Sequence, residues 1–79
     1  MGRSSAPPVN AEAIRQARIR RCLTQARVQE LCAERGAAID RGNLSRIERG
    51  LLRWPAPDSI PVLAEVLGLT MEEIFEVAA

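Results

Sequence analysis

The sequence predicts an all-α domain of five short helices, and three observations carry that expectation. Apolar residues recur at helical spacing, most clearly at Ile60, Leu63, Ala64 and Leu67, and no segment alternates with the period of two that a half-buried strand shows. Short polar residues stand just ahead of the periodic stretches (Asn10, Thr24, Asp40, Asp58, Thr70), where they can cap free backbone N–H groups. Glycines stand just behind three of them, at Gly36, Gly50 and Gly68, where a chain leaves a helix.

Taken in order, residues 1–9, with Ser4-Ser5 and Pro7-Pro8, read as a flexible N-terminal arm, and residues 10–79 as one domain. Asn10 opens a first helix over 11–22, with Ile14, Ala17, Arg18 and Cys22 on one face. Thr24 caps a second over 25–35, with the stripe Val28, Leu31 and Cys32. Asp40 caps a third over 41–49, whose only apolar stripe is Ile39, Leu44 and Ile47. Pro55 and Pro57 keep the following LLRWPAP irregular, because proline lacks the N–H and clashes with the preceding turn. Asp58 opens the fourth helix, with Pro61 tolerated in its first turn, and Gly68 ends it. Thr70 and Glu73 form a T-x-x-E capping box for a fifth helix over 71–77, bearing Ile74, Phe75 and Val77.

At 79 residues the chain is near the lower limit at which a core without staples holds a fold. Trp54 and Phe75 are its aromatic residues, so aliphatic side chains must fill the core. There is no histidine, and Cys22 and Cys32 form no CxxC pair. Metal binding would need more ligands, so the cysteines read as buried thiols on adjacent core stripes. Catalysis has no support: no Gly-rich phosphate loop is present, and no nucleophile has a base partner. No cofactor or small-molecule ligand is expected. The opening MGRSSAPPVN is polar, with no apolar run behind it, and no stretch reaches membrane-spanning length. A cytoplasmic location is the expectation.

The net charge of +1 hides an asymmetry. Residues 1–53 hold all 11 basic residues against five acids, a balance of +6, and residues 54–79 hold the other five acids and no base, −5. Separation of this kind points to a polyanionic partner for the first part of the chain. The densest basic stretch is IDRGNLSRIERG, residues 39–50, a helix that buries little and charges much of its surface.

Several pieces, in this order, resemble the helix-turn-helix of phage repressor and Cro-like (XRE-type) regulators: LTQ at 23–25, LSRIERG at 44–50, a proline at 55, and LAEVLGLTMEEIF at 63–75. The resemblance covers residues 14–77 and implies a compact lambda-repressor-like domain in which helices two and three form the helix-turn-helix. It implies a transcriptional regulator of double-stranded DNA, most often a repressor, that inserts helix three into the major groove as a homodimer on an inverted repeat. The chain departs from the pattern in the middle. Gly50 falls about five residues late relative to Leu23, so either helix two is longer by a turn or the connection, GAAID in place of a tight turn, is enlarged.

The resemblance also assigns roles. Arg41, Gly42, Asn43 and Arg46 become base contacts at the start of helix three; arginine can donate bidentately to guanine and asparagine can pair with adenine. The plain alternative is a solvated polar face. For Gly42 the alternatives are a close backbone approach to the groove and a neutral position facing space. Asp40 reads as a structural cap. Thr24, Gln25, Arg27, Arg49 and Arg53 become phosphate contacts, the first two aided by a helix N-terminus. Arg18 and Glu48 match an interhelical salt bridge. Trp54 is a lid over helix four or a dimer contact, and Ile74, Phe75 and Val77 are either dimer contacts or plain core. The competing function is an antitoxin- or adaptor-like protein-interaction module that keeps the fold without reading DNA.

Overall fold

The computed structural model describes residues 7–75, which form five helices: α1 (Ala11–Arg20), α2 (Gln25–Glu34), α3 (Arg41–Glu48), α4 (Ser59–Leu67) and α5 (Met71–Ile74). Four begin where a local side chain satisfies the free N–H groups of the first turn. The Asn10 side chain accepts from Ala13 N, Thr24 from Arg27 N, and Asp40 from both Gly42 N and Asn43 N. At α5 the capping box is complete, with Thr70 N donating to Glu73 Oε1 at 2.8 Å and Glu73 N to Thr70 Oγ1 at 3.0 Å. Asp58 stands at the N-cap position of α4 but makes no side-chain cap bond; Ser59 Oγ instead donates back to the Ala56 carbonyl at 2.7 Å.

The helices end alike. Gly36, Gly50 and Gly68 are left-handed, and the N–H of the residue after each reaches back to close the last turn: Ala37 to Cys32 O, Leu51 to Arg46 O, Leu69 to Ala64 O. The end of α1 has the same geometry without a glycine. It stops at Arg20 rather than at residue 22, and Cys22 itself adopts φ +56 while Leu23 N donates to Arg18 O. Cys22 is therefore exposed, which corrects its placement on a core stripe; the chain has left the helix before that position can turn inward. Cys32 is buried as expected.

The core joins Ile14 and Ala17 of α1, Val28 and Cys32 of α2, Leu44 and Ile47 of α3, Leu63, Ala64, Val66 and Leu67 of α4, and Ile74 of α5. α2 packs on α3 and α4, and α1 crosses against α3, α4 and α5. Residues 35–40 join α2 to α3, so the extra length between the two family anchors is taken up largely by an enlarged connection. Ala37 and Ile39 are buried at 8% and 7% exposure, which nails that connection to the core at alternate residues.

Both chain ends depart from the sequence reading. Val9, grouped with the arm, is only 4% exposed, and its N–H donates to the Arg53 carbonyl at 2.9 Å. It forms an isolated antiparallel bridge with Phe75, and Asn10 N donates to Ile74 O at 2.7 Å. α5 consequently stops at Ile74 instead of running to 77: Phe75 is extended, because its backbone pairs with Val9. Ile74 has no exposed surface, so it is a core residue and cannot be a dimer contact. Val77 lies outside the described residues.

Candidate nucleic-acid interface

α3 divides cleanly into two faces. Leu44, Ile47 and Glu48 are buried, while Arg41, Gly42, Asn43, Arg46 and the capping Arg49 are exposed. The inner face is held by one ion pair. Arg18 Nε and Nη2 donate to the two carboxylate oxygens of Glu48 at 2.7 and 3.0 Å, and Arg18 Nη1 donates to the Leu23 carbonyl at 2.8 Å. The side chains are 18% and 3% exposed, so α1, the start of α2 and α3 are locked together by charge in a nearly dry place. Gln25 joins this network, its Nε2 donating to Glu48 Oε1 at 3.2 Å.

The outer face begins at Asp40. Its Oδ2 accepts from Gly42 N at 2.9 Å and Asn43 N at 3.3 Å. A Cβ on residue 42 would sit 2.9 Å from that same oxygen, closer than a real Cβ contact. Gly42 therefore makes room for the capping carboxylate, a reason that neither sequence-based alternative contained. One turn on, Arg46 Nη1 donates to Asn43 Oδ1 at 2.9 Å, joining two candidate base readers side chain to side chain. Their i, i+3 spacing puts neighbouring side chains on one helix face, so the contact is legible in the sequence once the helix is placed.

The remaining candidates sort into places. Thr24, Gln25 and Arg41 line one cleft with Arg18, Leu23 and Ala26, so the first residue of α3 lies beside the N-terminus of α2. Sequence spacing gave no sign of this meeting, because the two segments are brought together only by the α2–α3 packing. On its other side the start of α3 borders the approach to α4: Asp40 and Asn43 share a small cleft with Ala56 and Ser59. Arg27 is half exposed but pairs with Glu30 at 3.0 Å and Glu34 at 4.0 Å. Arg53 lies with its guanidinium 5.6 Å over the Trp54 ring, and the two residues line an apolar groove with Pro57, Met71 and Phe75. Trp54 is 60% exposed and shares that groove with Ile60 and Pro61 of α4.

Ion pairing sharpens the charge map. Arg15, Arg18, Arg27 and Arg35 each have a carboxylate within 4.0 Å. Arg15 and Gln16 together hold the Glu12 carboxyl below its ordinary range by hydrogen bonding to it. Among the described residues Arg41, Arg46 and Arg49 have no such acid, and neither do Arg20 and Arg21 at the end of α1. Three such cations thus share the outer face of α3, while α2's exposed face is largely neutralised by its own glutamates.

Among the described residues no helix is long and apolar enough to cross a membrane. A family model described as helix-turn-helix matches residues 14–74 of the chain. No curated protein and no solved structure matches it.

Proposed function

The chain belongs to the helix-turn-helix family, whose members are DNA-binding regulators, and from that premise we propose that it is a sequence-specific repressor acting as a homodimer on an inverted repeat. One observation carries the reading. Three of the arginines with no carboxylate within 4.0 Å among the described residues, Arg41, Arg46 and Arg49, share the solvent face of the second helix of the pair, α3, while Arg20 and Arg21 stand at the end of α1. A basic face that the protein leaves without counter-charges is suited to phosphates and to the acceptor-rich edge of guanine.

In this reading α3 lies in the major groove, with Arg41, Asn43 and Arg46 toward base edges and Gly42 keeping the cap compact. Phosphates meet Arg49, the N-terminus of α2 at Thr24, and Arg41 from its place in the same cleft. Gln25 is tied to Glu48, so it positions the α2 N-terminus from within. Arg27 reaches a phosphate only by giving up its glutamates, and Arg53 contacts DNA only by leaving the Trp54 ring. The dimer forms through the apolar groove at Trp54 and Phe75, which is the exposed aromatic surface of the domain. The same groove favours the second reading, an adaptor that binds another protein there.

Binding to a random duplex library over a salt series tests the proposal. Enrichment of a two-fold symmetric site, with half-sites roughly 34–36 Å apart on one face, is the expected result. A log–log salt slope near −0.9 per phosphate contact should accompany it. Absence of duplex retention even at low salt would favour the adaptor.

A further inference from the structure

The hydrogen bond between the two side chains at the centre of the outer face decides what each can read. Arg46 can only donate, since a guanidinium has five N–H groups and no acceptor. The atom of Asn43 that meets it must therefore be the amide oxygen, as the 2.9 Å contact from Nη1 to Oδ1 records. The amide nitrogen makes no hydrogen bond among the described residues, so both of its hydrogens remain available to a ligand. The capping carboxylate of Asp40 has Oδ2 engaged by two N–H groups, and its Oδ1 stays open as an acceptor at the start of the helix. Beyond that cap, Asn43 and Arg46 offer more donors than acceptors.

Asparagine reads adenine by accepting from N6–H through its oxygen while donating to N7 through its nitrogen. With one of the two lone pairs of Oδ1 taken by Arg46, an adenine N6–H would have to approach the other beside the charged guanidinium, donor against donor, which weakens that pattern. We propose that Asn43 and Arg46 read DNA as one donor-rich unit, favouring neighbouring keto bases, guanine under Arg46 and guanine or thymine under Asn43, over adenine. Guanine presents O6 and N7, and thymine presents O4, all acceptors; the N6 group of adenine and the N4 group of cytosine are donors that would face donors.

In water an exposed bond of this kind contributes little, because solvent competes for both partners. In the groove the competition ends. Once water is expelled, Oδ1 needs a donor, and the one already in place is charged and requires no further ordering of the side chain. An adenine would have to share that oxygen with the guanidinium and bring its own N6–H donor beside it. The selectivity therefore belongs to the pair, and removing Arg46 changes the reading at two base positions.

The inference rests on α3 entering the major groove, and the test separates its failure from failure of that reading. Wild-type protein, Asn43→Ala and Arg46→Ala are each taken through selection from random duplex DNA at low salt, which preserves binding through the remaining phosphate contacts. Wild type should enrich guanine or thymine at the position whose preference Asn43→Ala erases. Arg46→Ala should lose one guanine preference and shift the Asn43 position toward adenine, by roughly tenfold. Adenine at that position in wild type, or a change confined to one position in Arg46→Ala, overturns the inference while leaving groove binding intact. Failure of wild type to retain any duplex overturns both. Should Arg46→Ala alone fail to bind, the side-chain amide resonances of Asn43 in the free protein decide: they should move between wild type and Arg46→Ala, and unchanged resonances overturn the pairing.

Discussion

Replacing Glu48 by glutamine keeps the volume of the side chain and removes its charge. The carboxylate is 3% exposed and receives three donors, two from Arg18 and one from Gln25. A glutamine offers one oxygen and turns an NH2 toward the donors that the other oxygen satisfied. Arg18 keeps its bond to the Leu23 carbonyl but is left charged, at 18% exposure, without a counter-ion. Breaking a buried pair from one side costs roughly 3–5 kcal/mol. The partial exposure of Arg18 lets some water in, so the expected loss is about 3 kcal/mol. For a domain of this size that corresponds to about 12–24 °C in Tm. Replacing both partners, Arg18→Met with Glu48→Met, should recover most of the loss, because the penalty is an unpaired charge and not the absence of the pair. Urea unfolding followed by far-ultraviolet circular dichroism is the suitable assay; Trp54, 60% exposed, is a poor reporter of core unfolding. A loss under about 1 kcal/mol for Glu48→Gln would refute the claim that the pair is dry. A double variant as unstable as the sum of its parts would refute the claim that the cost is electrostatic.

Cys22→Gly should stabilise the fold by about 1 kcal/mol in the same unfolding assay, since it relieves a left-handed backbone at φ +56. Gly68→Ala and Gly50→Ala should each cost about 1 kcal/mol, since both residues are left-handed; the Arg21 guanidinium that a Cβ on residue 68 would meet is the end of a flexible side chain and can swing away. A thiol reagent should modify Cys22 rapidly and Cys32 only on unfolding, counted by mass spectrometry. Burial pushes the Cys32 thiol above the ordinary cysteine range, with Arg35 opposing weakly. Its contribution to stability is therefore full below that ordinary range and is lost as pH rises through the folded value, because the unfolded chain ionises first; a pH series of urea midpoints in a Cys22→Ala background reads this. Arg49→Ala should weaken duplex binding evenly across sequences and reduce the magnitude of the salt slope by about 1.

What was legible in the sequence was local. Asn10, Thr24, Asp40 and Thr70 cap their helices through bonds to backbone two or three residues away, and Gly36, Gly50 and Gly68 end helices through a conformation that glycine adopts without strain. Such interactions need nothing from the rest of the chain, which is why the five helices and the buried stripes of α2, α3 and α4 follow from spacing alone. α1 was overextended because its last turn closes on Cys22, and no residue type there announces a left-handed turn.

The tertiary structure decided whatever depends on partners distant in sequence. Ile74 and Phe75 sit side by side in the chain, yet one is fully buried and the other extended, because Val9 and Asn10 pair with their backbone from 65 residues away or so. The formal charges of the arginines were readable, but not which of them had been neutralised; Arg35 finds Glu65 and Arg18 finds Glu48 only after the helices pack. Arg41 reaches the N-terminus of α2 for the same reason. Short-range hydrogen bonding wrote the helices into the sequence, whereas the field that α3 presents is a sum over neighbours that only packing selects.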